Sequence, residues 1–167
     1  DIEQIFQFNN PVVTVGSYDG LHIGHSIIIN KLKNLAEELN GDTVLVTFDP
    51  HPRTLIYPNE RDFKLIYTLN EKIEILKQYQ LDNLIIIPFT TEFSKTPFDL
   101  FIKNIIIEKI NAKKLVVGTN HQFGNRRQGN ISGLIELSNL YNFQVIEVAP
   151  VIIDGKVISS TLIRKAL

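Results

Sequence analysis

Two histidines, His22 and His25, lie in a glycine-rich segment whose residue types suit the binding of phosphate. Gly16, Gly20 and Gly24 recur at every fourth position of this segment, which follows an apolar β-branched run and precedes a helical pattern. Glycine lets the backbone approach a ligand closely, and the first turn of a helix presents free N–H groups to an anion. The order of strand, glycine loop and helix therefore predicts a nucleotide-phosphate site, although the sequence contains neither a P-loop nor a GxGxxG motif.

Other interpretations of the same residues stay open at this point. Two histidines at the start of a helix can be satisfied by local hydrogen bonds alone. A zinc site would require Asp19 or His51 as further ligands, because the sequence contains no cysteine. Asp19 follows the first predicted strand, and it is interpreted either as a cap of the loop or as a group that holds Mg²⁺ through water.

The composition predicts a single globular domain over residues 1–167, with 44% hydrophobic residues and a formal net charge of −1. Charges of both signs are mixed along the sequence, so neither nucleic acid nor a membrane is expected as a partner. The absence of cysteine excludes disulfides, thiolate metal sites and a cysteine nucleophile, and it favours a reducing cytoplasm. No apolar run is long enough for a transmembrane helix.

Alternating strand and helix patterns predict an α/β fold. The predicted strands are short apolar runs at residues 12–15, 43–48, 84–87, 115–117 and 144–149. The predicted helices begin near Ser26, at Thr68, at Thr96-Pro97, at Ile131 and at Ser159. Together these elements indicate a Rossmann-like, doubly wound parallel sheet of five strands, followed by a small C-terminal hairpin about Asp154-Gly155 and a last helix.

Polar clusters follow three of the predicted strands, at residues 16–25, 49–53 and 118–129, and a fourth cluster at 159–164 opens the last helix. Ligands in open parallel sheets bind outside the carboxyl ends of the strands, so we expect these four segments to converge on one crevice. In the second cluster, the prolines on either side of His51 predict a rigid segment without regular structure.

The segment 16–25 resembles the H-x-G-H loop of the nucleotidylyltransferase superfamily, and 158–164 resembles the Ser/Thr-rich second signature of that superfamily. Within the superfamily, 47–53 and 118–129 resemble the FMN adenylyltransferase module of bacterial FAD synthetases. In one departure, Tyr18 stands where that family usually has Phe. Members of the family usually carry a riboflavin kinase domain after this module, and that domain is absent from the sequence, so riboflavin phosphorylation is not expected of this chain.

The resemblance implies that FMN and ATP react to give FAD and pyrophosphate, with Mg²⁺ bridging the phosphates. The attacking phosphate oxygen of FMN is already ionised near neutral pH, so no general base is required. The residues implied in catalysis are His22, His25, Ser160 and Arg164. Those implied in ATP binding are Gly16, Ser17, Tyr18, Asp19, Gly20, His22, Gly24, His25, Gly118, Asn120, Ser159, Ser160, Thr161 and Arg164. Those implied in FMN binding are Phe48, His51, Pro52, Arg53, Phe123, Gly124 and Arg127.

The sequence leaves alternatives to these assignments. Residues 159–161 could be a helix cap before a solvated Arg164, and the segment around His51 could be a rigid turn that binds nothing. The chain could also be another small-molecule adenylyl- or cytidylyltransferase with the same histidine loop, although 49–53 and 118–129 favour FMN. A hypothesis of a different class is a module that binds flavin or nucleotide without catalysis.

Overall fold

The computed structural model of this chain describes residues 7–60, 63–119 and 130–167. Its strands are β1 Val12–Val15, β2 Thr43–Asp49, β3 Asn83–Pro88, β4 Lys114–Gly118, β5 Gln144–Val148, β6 Ile152–Ile153 and β7 Lys156–Val157. Its helices are α1 Ile23–Glu38, α2 Pro52–Ile56, α3 Leu69–Lys77, α4 Phe98–Phe101, α5 Ile131–Tyr141 and α6 Ser160–Ala166. A 3₁₀ turn, Phe93–Lys95, precedes α4, and α4 continues as a π-helix over Ile102–Ile107.

Strands β1 to β5 form one parallel sheet in the order β3-β2-β1-β4-β5, which confirms the predicted doubly wound fold. Every residue of the central strand β1 is buried, as its run of β-branched residues predicts. Successive residues of a strand face opposite sides of the sheet. Val13 thus packs with Ile106 and Leu134 in one cluster, whereas Val12 packs with Leu32 of α1 in another.

The strand order reverses at β1, which pairs with β2 on one side and with β4 on the other. Parallel sheets bind ligands in a crevice at the carboxyl edge beside such a reversal, which lies here between β1 and β4. The predicted phosphate loop follows β1, so the sheet order alone places it at this crevice. No helix among the described residues is long and apolar enough to cross a membrane.

Several local signals are confirmed by the structure. Thr68 and Glu71 form the expected capping box at the start of α3. Asp154 and Gly155 have φ values of 50° and 71°, which is the type I′ geometry predicted for the hairpin β6–β7. Ser159 caps α6, because its side chain accepts a hydrogen bond from the Leu162 N–H at 3.2 Å.

The segment around His51 differs from its prediction. An irregular segment was expected, but Pro52 begins the short helix α2. Proline suits the first helical position because the N–H it lacks would have no helical partner there. His51 is the cap residue, and its Nδ1 accepts a hydrogen bond from the Arg53 N–H at 3.1 Å.

Two other helix starts are shifted slightly. Helix α1 begins at Ile23 rather than near Ser26, so His22 is its cap residue and His25 lies in its first turn. Helix α4 begins at Phe98, which makes Pro97 the cap residue rather than the first helical residue. The first of these shifts matters for the site, since it places both histidines at the positive end of the helix dipole.

Candidate active site

The loop between β1 and α1 follows a path that only glycine accommodates at Gly20. Its φ is +82°, and a Cβ there would lie 2.6 Å from Ile66 Cδ1. At the start of the loop, the Gly16 N–H donates to the Val46 carbonyl at 3.0 Å, so the loop leaves the sheet along β2. The loop is thus held against both the sheet and the segment that contains Ile66.

Tyr18 supports this loop from the protein interior. Its side chain is 2% exposed, and its hydroxyl lies 2.6 Å from Thr14 Oγ1. Burial raises the pKa of the Tyr18 phenol well above its usual value, so the hydroxyl stays neutral. Tyr18 is one of the residues predicted to contact ATP. Its side chain lies in the core, where its ring centroid is 5.0 Å from that of His25.

The imidazole rings of His22 and His25 stack at the start of α1. Their centroids are 3.8 Å apart and their planes are 20° from parallel. Burial lowers the pKa of His22, which favours a neutral ring beside its neighbour. A Cβ on Gly24 would lie 3.1 Å from two atoms of the His22 ring, so the glycine makes room for this packing. The pair lies beside the free N–H groups of the first helical turn.

The loop and helix α6 meet at Asp19. The Asp19 carboxylate, whose side chain is 4% exposed, forms an ion pair with the Arg164 guanidinium, whose side chain is 15% exposed. The Ser160 hydroxyl donates a hydrogen bond to the Asp19 carbonyl at 2.6 Å. Residues more than 140 positions apart in the sequence are thereby brought into direct contact, as the convergence of segments 16–25 and 159–164 predicts.

The Asp19 carboxylate is engaged by protein donors from two directions. Besides the ion pair with Arg164, it accepts hydrogen bonds from the Ile66 and Tyr67 N–H groups at 3.1 and 3.2 Å. These contacts fix the Asp19 carboxylate within the loop, and its water-mediated contact with Mg²⁺ stays a prediction. Within residues 7–60, 63–119 and 130–167, no group of three or more His, Cys, Asp or Glu side chains is arranged to hold a metal ion.

Phe63 joins the second predicted cluster to this junction. The Arg164 guanidinium carbon lies 4.5 Å from the centroid of the Phe63 ring, and that of Arg53 lies 4.8 Å from it. The His51 ring centroid is 5.1 Å from the same ring. Burial lowers the pKa of His51 to about 4, so this imidazole is neutral near pH 7. Three of the four predicted segments thus meet on the described part of the chain.

Arg53 and Phe48 border the second cluster. Arg53 forms an ion pair with Glu60, beside an open pocket of about 550 Å³. That pocket is lined by Arg53, Ile56, Tyr57, Pro58, Asn59 and Glu60. Phe48 is partly buried and its ring packs with Phe89, Phe93 and Phe101 at centroid distances of 5.6, 6.1 and 6.4 Å. This aromatic cluster forms an apolar wall at the carboxyl ends of β2 and β3.

Comparison with known proteins assigns the family. The family model for FAD synthetase matches residues 5–162, which is nearly the whole chain. The chain belongs to the FAD synthetase family.

Curated relatives of this chain are named bifunctional riboflavin kinase/FMN adenylyltransferase. One from Buchnera aphidicola subsp. Schizaphis graminum is 38% identical over 160 residues, covering 95% of this chain and 51% of its own length. Another, from Haemophilus influenzae, is 32% identical and covers 93% of this chain and 50% of its own length. The chain therefore spans about half the length of the curated relatives it matches.

Solved structures agree with the fold of this family member. A crystal structure named macrolide-efflux protein, from Streptococcus pneumoniae, has a TM-score of 0.85 and 28% identity, and the match covers 99% of this chain and 55% of that chain. A pantoate-beta-alanine ligase from Francisella tularensis, complexed with beta-gamma ATP and beta-alanine, has a TM-score of 0.59 and 17% identity. That match covers 99% of this chain and 67% of the ligase, and it supports the fold alone.

The remaining residues predicted for the FAD synthetase site have varied positions. Gly118 ends β4, and a Cβ there would only make ordinary contact with Ile28 Cδ1 at 3.6 Å. Thr161 is exposed in the first turn of α6. The other four predicted contacts lie outside the described residues: Asn120, Phe123, Gly124 and Arg127.

Lys72 of α3 is a residue that the sequence motifs do not indicate and that the fold brings beneath the loop. Lys72 is 6% exposed, and its Nζ donates to the Ser17 carbonyl at 3.1 Å and to Thr47 Oγ1 at 3.3 Å. Its position one helical turn before the buried Leu76 was the available signal, because residues four apart share a helix face. Lysine is seldom buried, so a lysine at a core-facing position of a helix does not stand out in the sequence.

Proposed function

We propose that this chain transfers AMP from ATP to FMN, giving FAD and pyrophosphate. The proposal rests on membership of the FAD synthetase family. The observation that carries it is the junction at Asp19, where Ser160 and Arg164 of the second signature join the loop that bears His22 and His25. The site so formed lies at the crevice where parallel sheets bind nucleotides.

In this reaction a phosphate oxygen of FMN attacks the α-phosphorus of ATP. One P–O bond forms to FMN, the bond between the α-phosphorus and the bridging oxygen breaks, and pyrophosphate leaves with the electron pair. The step needs alignment and donors for the developing negative charge, and no group on the enzyme has to accept a proton. His22 and His25, with the N–H groups that open α1, are the proposed donors to the phosphates.

Arg164 is the proposed cation of the second signature. Its guanidinium is oriented by Asp19, by the Lys64 carbonyl and by the ring of Phe63, so its direction is set before substrate binds. We propose Mg²⁺ as the divalent ion of the reaction, where it neutralises charge on the phosphates. Because the carboxylate of Asp19 is already engaged, the substrate phosphates are the proposed ligands of that ion.

The FMN is proposed to lie beside α2, whose start contains His51, Pro52 and Arg53 and follows Phe48 closely in the sequence. The neutral His51 ring and the aromatic wall offer flat apolar surface for a flavin ring, and Arg53 offers a cation for its phosphate. We further propose that the complete protein carries a riboflavin kinase domain, as the names of its relatives suggest, and that it acts in the cytoplasm.

The test is product formation by the purified chain. FMN, ATP and Mg²⁺ are incubated with it, riboflavin and CTP are used in parallel reactions, and flavins are separated by HPLC. We expect FAD from FMN with ATP, and neither FMN nor FAD from riboflavin. Flavin binding without FAD would favour a non-catalytic module. Absence of both product and flavin binding would point to another acceptor within the superfamily.

A further inference from the structure

Lys72 is a buried amine to which neither the sequence motifs nor the proposed reaction gives a role. It projects from α3 to the underside of the loop between β1 and α1. There its Nζ contacts two neutral acceptors, the Ser17 carbonyl at 3.1 Å and Thr47 Oγ1 at 3.3 Å. No carboxylate of the described residues forms an ion pair with it, although Asp19 and Asp49 act on it through space.

Burying such a group carries a free-energy cost. Removal from water disfavours an ammonium strongly, and burial accordingly lowers the pKa of Lys72, while the charges of Asp19 and Asp49 oppose that shift. The carboxylate of Asp19 is itself paired with Arg164. Lys72 thus faces the loop from beneath with no anion of the described residues bonded directly to its Nζ.

The hydrogen bond from Lys72 also sets the direction of one peptide unit. The Ser17 carbonyl accepts from both Lys72 and Thr47 Oγ1, the latter at 3.2 Å, and the Ser17–Tyr18 bond is trans. In a trans peptide the C=O and the next N–H point in opposite directions, so the Tyr18 N–H points away from Lys72. Tyr18 has a φ of 49°, in the left-handed region that favours glycine, so this loop conformation depends on such contacts.

We propose that Lys72 is a positioning residue of the ATP site: it holds the Ser17–Tyr18 peptide with its N–H towards the triphosphate, and its ammonium attracts that anion from beneath the loop. This inference rests on the proposed function, because it assigns the loop to ATP. It goes beyond the two signature motifs by adding a cation from a third element, α3. Lys72 does not touch the substrate, so its effect is on nucleotide affinity rather than on the chemical step.

The experiment compares Lys72→Met with the wild type. Methionine keeps most of the apolar stem and removes the ammonium. We expect the Kd of α,β-methylene-ATP, measured by calorimetry, to rise about tenfold to a hundredfold, the range of one charge-assisted hydrogen bond. The Kd of FMN is expected to stay within about twofold. Lys77→Met is the matched control, since Lys77 lies on the same helix but is exposed and paired with Glu74.

A second variant separates positioning from folding. The sequence contains no cysteine, so the thiol of a Lys72→Cys chain is unique. Alkylation in denaturant with 2-bromoethylamine, followed by refolding, restores an ammonium at nearly the length of lysine, whereas alkylation with iodoacetamide leaves a neutral side chain. The aminoethylated chain should recover nucleotide affinity to within about threefold of the wild type, and the neutral adduct should not.

The outcomes separate this inference from the proposed function. Nucleotide binding by the wild type with an unchanged Kd in Lys72→Met, or equal affinity of the two alkylated chains, would overturn the role of Lys72 alone. A lowered melting temperature with unchanged nucleotide affinity would do the same, because it would assign Lys72 to folding. A wild-type chain that fails to bind the nucleotide analogue would overturn the proposed function and this inference together.

Discussion

At the scale of single residues, the main feature of the site is the stacked pair of imidazole rings of His22 and His25. Two imidazolium ions whose ring centroids are 3.8 Å apart would repel each other, so the stacking disfavours a positive charge on both rings at once. A neutral imidazole still offers one N–H donor to a phosphate oxygen. The pair therefore suits a reaction in which negative charge shifts among phosphate oxygens and no proton is transferred.

The change His25→Ala tests this role. Because the ring is proposed to stabilise charge on the transferring group, we expect kcat for FAD formation to fall about 10²- to 10³-fold, with the Kd of FMN little changed. The control is Ile27→Ala, which truncates an exposed side chain two residues further along α1. Steady-state kinetics and flavin titration measure both quantities. A near-normal kcat in the His25 variant would contradict the assignment.

His51 predicts a pH dependence of stability. Its pKa is about 4 in the folded chain and about 6.5 when unfolded, so between these values the unfolded chain binds more protons. The free energy of unfolding therefore rises with pH in this window, and the contribution of His51 is lost as the pH falls from about 6.5 towards 4. One such group contributes at most about 1.4 kcal/mol per pH unit.

The variant His51→Asn isolates this contribution, because asparagine also caps helices but does not titrate. Urea unfolding at several pH values from 7 to 4 should show a shallower decline for the variant than for the wild type. His22, whose pKa is also lowered by burial, is present in both chains and cancels in the comparison. Equal slopes would show that His51 is not the group that titrates.

At the scale of elements, the start of α1 combines two requirements in one turn. The helix begins at Ile23, so Gly24 and His25 lie within its first turn while His22 caps it. A helix alone would favour alanine over glycine at position 24 by up to about 1 kcal/mol. The glycine is retained at a place where a methyl group would lie 3.1 Å from the His22 ring. At position 24 the helix therefore favours alanine, whereas the packing of the His22 ring favours glycine.

The change Gly24→Ala should accordingly separate activity from stability. We expect the free energy of unfolding to stay the same or to rise by up to about 1 kcal/mol, whereas kcat/KM falls about tenfold to a hundredfold because the His22 ring is displaced. Gly133→Ala is the matched control in the first turn of α5, where the added methyl makes only ordinary contacts. If both variants keep full activity, the close packing of Gly24 on His22 has no catalytic importance.

At the scale of the whole molecule, the sheet order decides which loops lie at the site. The loop after β1 and the start of α6 meet at the carboxyl edge, while the turns that enter β2 and β5 lie at the opposite edge. The binding crevice is therefore expected at one edge of the sheet only.

Hydrogen exchange with and without α,β-methylene-ATP tests this placement. Bound nucleotide should slow amide exchange in 16–25 and 159–164, because those N–H groups become covered or lose mobility. The turns at 39–43 and 142–144 serve as the internal control and should exchange at the same rate in both samples. Protection confined to those turns would place the ligand at the wrong edge for the proposed reaction.

The order of the elements and several of their ends were predictable from local patterns. Apolar runs of three to six residues predicted the five parallel strands, and the Thr68–Glu71 and Ser159 caps placed two helix starts correctly. The prediction of an irregular segment at His51 is wrong, because proline at a first helical position starts a helix rather than breaking one. Over four or five residues, the conformational preferences of the amino acids are strong enough to predict a strand or a helix end from the sequence.

The contacts that assemble the site were decided by tertiary packing. Arg164 reaches Asp19 across 145 positions and the Lys64 carbonyl across 100, and Lys72 reaches Ser17 across 55. No local pattern encodes such pairs, because they depend on how α3 and α6 pack against the sheet. The motifs could name His22, His25, Ser160 and Arg164, but only the folded chain turned Asp19 towards an arginine and placed an ammonium beneath the loop.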